Sequence, residues 1–209
     1  MSILFKPKKR ITPIHFGALY NWYAATYNTG GASIAPIGWH MPNRAEWNTL
    51  ITECGGSSVA GIHLKDAGTT YWTNSANADN SSGFTGRGGG TRSPAFGSLK
   101  TIGVWGMVEH YQKTLQGGIA YVSEYNYGPT LAFSIRLIKD DSTDPGKVTD
   151  YDGNVYATVT KGSQVWMASN LKVTHYNNGT IIPLVTDNTA WGALSTGAFC
   201  YYSNDINNA

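Results

Sequence analysis

Pro42-Asn43-Arg44-Ala45-Glu46-Trp47-Asn48-Thr49-Leu50-Ile51-Thr52-Glu53-Cys54-Gly55-Gly56 reads as one amphipathic helix with both ends marked. Asn43 is a good N-cap, and Glu46 three positions on completes a capping box. Trp47, Leu50, Ile51 and Cys54 follow i, i+3, i+4, i+7 spacing and form a single apolar face. Gly55-Gly56 supplies residues that tolerate the left-handed turn ending a helix. A helix with one narrow apolar stripe must lie on something flat, and the rest of the chain offers short alternating strands.

Val155–Thr160 alternates as a strand, turns at Lys161-Gly162-Ser163, and returns as Gln164-Val165-Trp166-Met167, with a turn signal at Asp152-Gly153 ahead. Gly118–Val122 and Leu131–Ile138 are predicted to pair as strands. A second short helix is predicted from a cap at Asn188 through Trp191 and Leu194 to Gly197. Residues 73–103 are loop-like, and loops that long are functional or locked by packing. The fold class is therefore α+β: short antiparallel strands, two short helices and long irregular loops.

Composition narrows the function. The 209 residues are 41% hydrophobic, enough for a core, but only 13% charged, about half the usual share. Polarity comes from Asn, Ser, Thr and Gly, with 13 Tyr and 7 Trp. Tyrosine and tryptophan give rigid contact area and uncharged polar groups give adaptable hydrogen bonds, a surface-protein profile. A net charge of +2 gives no case for nucleic acid, and no run of about 18 apolar residues is present to insert in a membrane. Cys54 and Cys200 make no disulfide framework, and Cys54 on the helical stripe reads as a small buried hydrophobe.

Three parts and one linker follow along the chain. Residues 1–15 form a basic arm with Lys6, Lys8, Lys9 and Arg10, either a solvated tail or an anchor that docks on a partner. Residues 16–140 are rich in glycine and aromatics. Residues 141–147 are a turn-forming linker, and residues 148–209 are a second segment.

Several blocks resemble the Fibrobacter succinogenes major paralogous domain of Bacteroidetes surface proteins. They are Gly17–Ala25, Pro36–Pro42 continuing to Ala45-Glu46-Trp47, Ala60–Trp72, Ser82–Arg92 and Phe133–Leu137. Asp152–Tyr156, Gln164–Lys172, Tyr176–Gly179 and Gly197–Tyr202 resemble the opening half of the same family, which here stands second. The resemblance therefore implies one circularly permuted domain over residues 16–209, its ends near each other. A swap between neighbouring subunits remains the alternative. It also implies a C-type-lectin-like fold, which by itself settles no function.

No residue pattern points to catalysis. There is no nucleophile elbow, no paired-carboxylate pattern and no phosphate loop, since Gly86–Gly90 lacks the Lys-Ser/Thr that a P-loop needs. His15, His40, His63, His110 and His175 are scattered without ligand spacing, and His40 reads as a structural hydrogen-bonder. Asn77, Asp79, Asn80, Asp187 and Asn188 read as turn and cap residues rather than a calcium site. No catalytic residue, metal or cofactor is expected.

The candidate ligand face is Trp105, His110, Tyr111, Tyr121, Tyr125 and Tyr127, with packing of several of these rings as the competing reading. Met107-Val108-Glu109-His110 departs from the family's pattern after Trp105-Gly106. A surface-type domain without an export signal is expected to be a virion protein of a Bacteroidetes phage, on a head or tail fibre or tail accessory. Its expected partners are other virion structural proteins, further copies of itself and a host surface glycan. A bacterial cell-surface adhesion domain is the alternative.

Overall fold

The computed structural model describes residues 15–75 and 77–209, so the basic arm with Lys6, Lys8, Lys9 and Arg10 lies outside the described residues. In chain order the elements begin with β1 (Leu19–Tyr20), α1 (Trp22–Ala25), β2 (Trp39–His40), α2 (Arg44–Glu53) and α3 (Ala60–Leu64). They continue with β3 (Thr91–Arg92), β4 (Phe96–Gly97), β5 (Ile102–Gly106), β6 (Tyr111–Gln116), β7 (Ser123–Asn126) and β8 (Ile138–Lys139). The second segment adds β9 (Lys147–Thr149), β10 (Val155–Lys161), β11 (Gln164–Met167), α4 (Asn188–Gly192) and β12 (Phe199–Cys200). The fold is α+β. Its largest sheet has the order β2-β8-β11-β10-β9, and a second sheet is β5-β6-β7, every pair antiparallel.

Helix α2 forms as its sequence dictates. The Asn43 side chain accepts from the Glu46 amide, and the Glu46 carboxylate accepts from the Asn43 amide. Trp47, Leu50, Ile51 and Cys54 are buried, and Cys54 and Cys200 are both free thiols. The β10–β11 hairpin pairs Lys161 with Gln164 across the predicted turn.

Three apolar clusters flank the strands among the described residues, two of them large. One gathers Tyr20, Trp39, Phe133, Ile135, Leu137, Val165, Met167 and Phe199; the other gathers Trp47, Phe84, Trp105, Leu115, Ile138 and Trp166. Neighbours along β5 (Val104, Trp105) and β11 (Val165, Trp166) enter different clusters, as alternation across a strand requires.

Three expectations are corrected. Residues 118–122 are not a strand: Gly118 adopts φ +75° and closes a turn on Asn74, so the partners of β6 are β5 and β7. Residues 131–138 are all buried but form no long strand, because successive residues bond to different elements: Ala132 to Arg92, Phe133 to Tyr20, Ser134 to Val104. Helix α4 is capped by Asp187, whose side chain accepts from the Ala190 amide, while the Asn188 side chain accepts from the Arg92 guanidinium.

Residues 73–103 are locked by packing. Phe84 is fully buried and Trp72 Nε1 donates to the Gly86 carbonyl. Buried Arg92 donates to the carbonyls of Pro94, Val185 and Thr186, tying this loop to the second segment. A second tie is Asn170. Its Oδ1 accepts from Trp105 Nε1 (2.9 Å) and Arg136 Nε (2.6 Å), and its Nδ2 donates to the Phe16 carbonyl (2.7 Å) and Ser134 Oγ (3.1 Å). All four partners belong to the first segment. The two ends adjoin: β1 pairs with β12, and the Phe16 amide donates to the Asn208 carbonyl at 2.7 Å.

Candidate functional site

The β5-β6-β7 sheet has two unlike faces. Trp105, Lys113 and Glu124 stand on the face that packs toward α2: Lys113 Nζ bonds to Glu124 (2.6 Å) and to Asn48 (2.9 Å), and Arg44 pairs with Glu124 (2.7 Å). Val104, Gln112, Thr114 and Tyr125 share the opposite face by register. On that face lies a slot of about 190 Å³. Ile102, Val104 and Leu131 give it apolar surface, Thr91, Thr114 and Gln116 give it polar points, and Tyr125 and Tyr127 supply rings. The two rings stand 5.9 Å apart at 55°, with Tyr125 48% and Tyr127 40% exposed. Burial, and to a lesser degree the nearby Tyr125, raises the Tyr127 phenol above its ordinary pKa, so that phenol is neutral at physiological pH.

Two polar atoms of this face lack a partner among the described residues: Thr114 Oγ1, in the wall of the slot, and Gln112 Oε1, on the residue directly across from Tyr125. Thr114 is 8% and Gln112 3% exposed. A buried polar atom left unpaired costs about 1–3 kcal/mol, and a ligand in the slot would pair the Thr114 hydroxyl. Trp22 Nε1, Arg44 Nε and Trp47 Nε1 are likewise unpaired among the described residues, away from the slot.

Of the six residues expected on a ligand face, the structure brings Tyr125 and Tyr127 together. Trp105 is a correction: it is fully buried and its indole N–H is committed to Asn170, so it belongs to the core. Tyr111 lies under the Arg44 guanidinium, 3.8 Å from its ring centre, on the α2 side of the sheet. Hydrogen bonds from Arg44 and Asn126 lower its phenol pKa. His110 sits at φ +62°, a left-handed turn position for a non-glycine residue, and its ring lies against Trp22 at 52°, with ring centres 3.5 Å apart. Tyr121 is exposed beside α3, away from the slot. Sequence reasoning missed Thr114, Gln112 and Gln116. The signal was Tyr111-Gln112-Lys113-Thr114-Leu115-Gln116, a largely buried strand with a polar residue at nearly every position.

Other polar clusters are bonded among their own side chains. His40 offers Nδ1 to Asp140 (2.6 Å) and Nε2 to Glu46 (2.8 Å). Asp79 and Ser81 both converge on Nδ1 of His63, so the trio lacks the opposed-nitrogen geometry of a proton relay. A hollow of about 450 Å³ lies where the chain ends adjoin, but its acid, Asp152, accepts from Thr174 and faces His175 at 2.6 Å. Among the described residues no three His, Cys, Asp or Glu side chains are grouped to hold a metal ion, and no helix is long and apolar enough to cross a membrane.

The slot and the sheet that builds it lie inside residues 5–139, the stretch matched by the model of the Fibrobacter succinogenes major domain. The chain belongs to this family. The match to the Fibrobacter succinogenes major domain ends at Lys139, the last residue of β8, so Asn170, the β10–β11 hairpin and β12 lie beyond it. Neither the curated proteins nor the solved structures yield a match.

Proposed function

We propose that the chain is a non-enzymatic recognition module displayed on a surface, and that it recognises its target through the tyrosine slot. The observation that carries this reading is the pairing of two half-exposed tyrosines with an unpartnered buried hydroxyl, Thr114 Oγ1, in one uncharged wall. Tyrosine rings give contact area at low entropic cost, and neutral polar groups adapt to a partner. The buried cations support the same reading. Arg92, Arg136 and Lys65 are bound mainly to backbone carbonyls, holding loops in place rather than standing ready for chemistry.

The setting we favour is the virion surface of a Bacteroidetes phage, with a C-type-lectin-like domain facing outward. The bacterial cell surface is the alternative. The low charge and high aromatic content support display in either place. Mass spectrometry of purified particles tests the choice: stoichiometric recovery beside the virion structural proteins is the expected result. Recovery from bacterial envelopes and not from particles would overturn the virion setting.

The order of the two halves belongs to the same reading. Residues 148–209 are proposed to be the opening half of the domain, joined in space to residues 15–140. The adjoining ends and the four bonds on Asn170 support this.

A further inference from the structure

The walls of the slot restrict what it can hold. None of its lining side chains is charged, so an ionic ligand would lose hydration there without a counter-charge. Its volume, about 190 Å³, is below the roughly 300–1,000 Å³ usual for drug-sized ligands, which suits a single small ring. Thr114 Oγ1, which can both donate and accept, is the unpaired polar atom in the wall, so the ligand must carry a group that hydrogen-bonds a hydroxyl. Ile102, Val104 and the two tyrosine rings call for apolar C–H surface on the same molecule. Hydroxyls around the edge of a ring with C–H faces meet all these demands together; an aliphatic or aromatic side chain would leave Thr114 unpaired.

Resting on the recognition reading above, we infer that the slot beside Thr114, Tyr125 and Tyr127 binds one unit of a neutral hexopyranose. The ring lies against the tyrosines, and one of its hydroxyls bonds to Thr114.

Saturation-transfer NMR on the full 209-residue chain tests this, with the methyl pyranosides of glucose, galactose and mannose as probes and methyl glucuronide as the charged control. Transfer is expected from at least one neutral probe and not from the glucuronide. In Thr114→Val, which removes a hydroxyl that has no partner among the described residues, affinity is expected to fall about tenfold, the worth of one buried hydrogen bond, with the fold intact. Tyr127→Ala is expected to weaken it at least as far. Silence from all three neutral probes, or equal binding by Thr114→Val, would overturn the assignment.

A parallel assay with labelled chain on bacterial cells separates this inference from the reading beneath it. Retention on cells equal for wild type and Thr114→Val, with silent probes, overturns the slot and leaves surface recognition standing. Probe binding that Thr114→Val weakens, with retention neither on cells nor in particles, supports the sugar site and overturns display.

Discussion

Replacing Asn170 with alanine removes the hub between the two segments, and its cost can be worked from the bonds lost. Arg136 is 1% exposed, and burial pushes its guanidinium pKa well below the ordinary value. It keeps the carbonyls of Phe84, Thr85 and Met167 but loses the Asn170 oxygen at 2.6 Å, a charge-assisted bond worth about 1.5–3 kcal/mol. Trp105 Nε1 is fully buried and loses its acceptor outright, about 1–3 kcal/mol. The Phe16 carbonyl loses the amide donor at 2.7 Å, and the missing carboxamide leaves a small cavity. Water entering that cavity recovers part of this, so the expected loss is about 4–6 kcal/mol, a large share of a typical domain's 5–15 kcal/mol. Asn170→Asp keeps the acceptor for Trp105 and Arg136 but faces the Phe16 carbonyl with negative charge, so it should fall between wild type and alanine. Urea unfolding followed by tryptophan fluorescence gives all three values. A loss below about 1.5 kcal/mol for the alanine variant would refute the reasoning, because the two segments would then hold together without this hub.

Three further outcomes are expected. A re-ordered chain, 142–209 followed by 15–141 through a short glycine linker, should fold to the same far-ultraviolet spectrum; an unfolded product would count against intrachain joining of the halves, since the Phe16 amide and the Asn208 carbonyl stand 2.7 Å apart. Thr114→Val should raise stability by about 1 kcal/mol, and a lower melting temperature would mean that Oγ1 has a partner in the folded protein. Burial of His40 works against its charge, but hydrogen bonds to Asp140 and Glu46 outweigh it and raise the pKa. The clamp's contribution is therefore full below the unfolded value of about 6.5 and fades as pH rises through the folded value. His40→Gln should lower the melting temperature more at about pH 5.5 than at about pH 8.5, and an equal loss at both would remove the proton from the argument.

What the sequence decided by itself was whatever is encoded within a few residues. The capping box of Asn43 and Glu46, the stripe from Trp47 to Cys54 and the hairpin at Lys161–Gln164 rest on contacts three to seven positions apart. The family blocks were legible for a similar reason, each being a short fixed run. The slot was half legible: Tyr125 and Tyr127 stood out as aromatics in a polar stretch, but the polar run of β6 did not single out Thr114 as the residue behind them.

Tertiary structure alone decided the rest. Trp105 looks like any other ring in its segment, and only Asn170, sixty-five residues away, commits its indole and places it in the core. Residues 131–138 read as a strand because Leu131, Phe133, Ile135 and Leu137 alternate with Ala132, Ser134 and Arg136, yet their amides and carbonyls meet Arg92, Tyr20 and Val104 in turn, which no single partner strand supplies. Asn188 has the chemistry of a cap, but Arg92 engages its oxygen and Asp187 caps instead. In each case the competing partner lies far along the chain, so its pull on the residue leaves no periodicity to read.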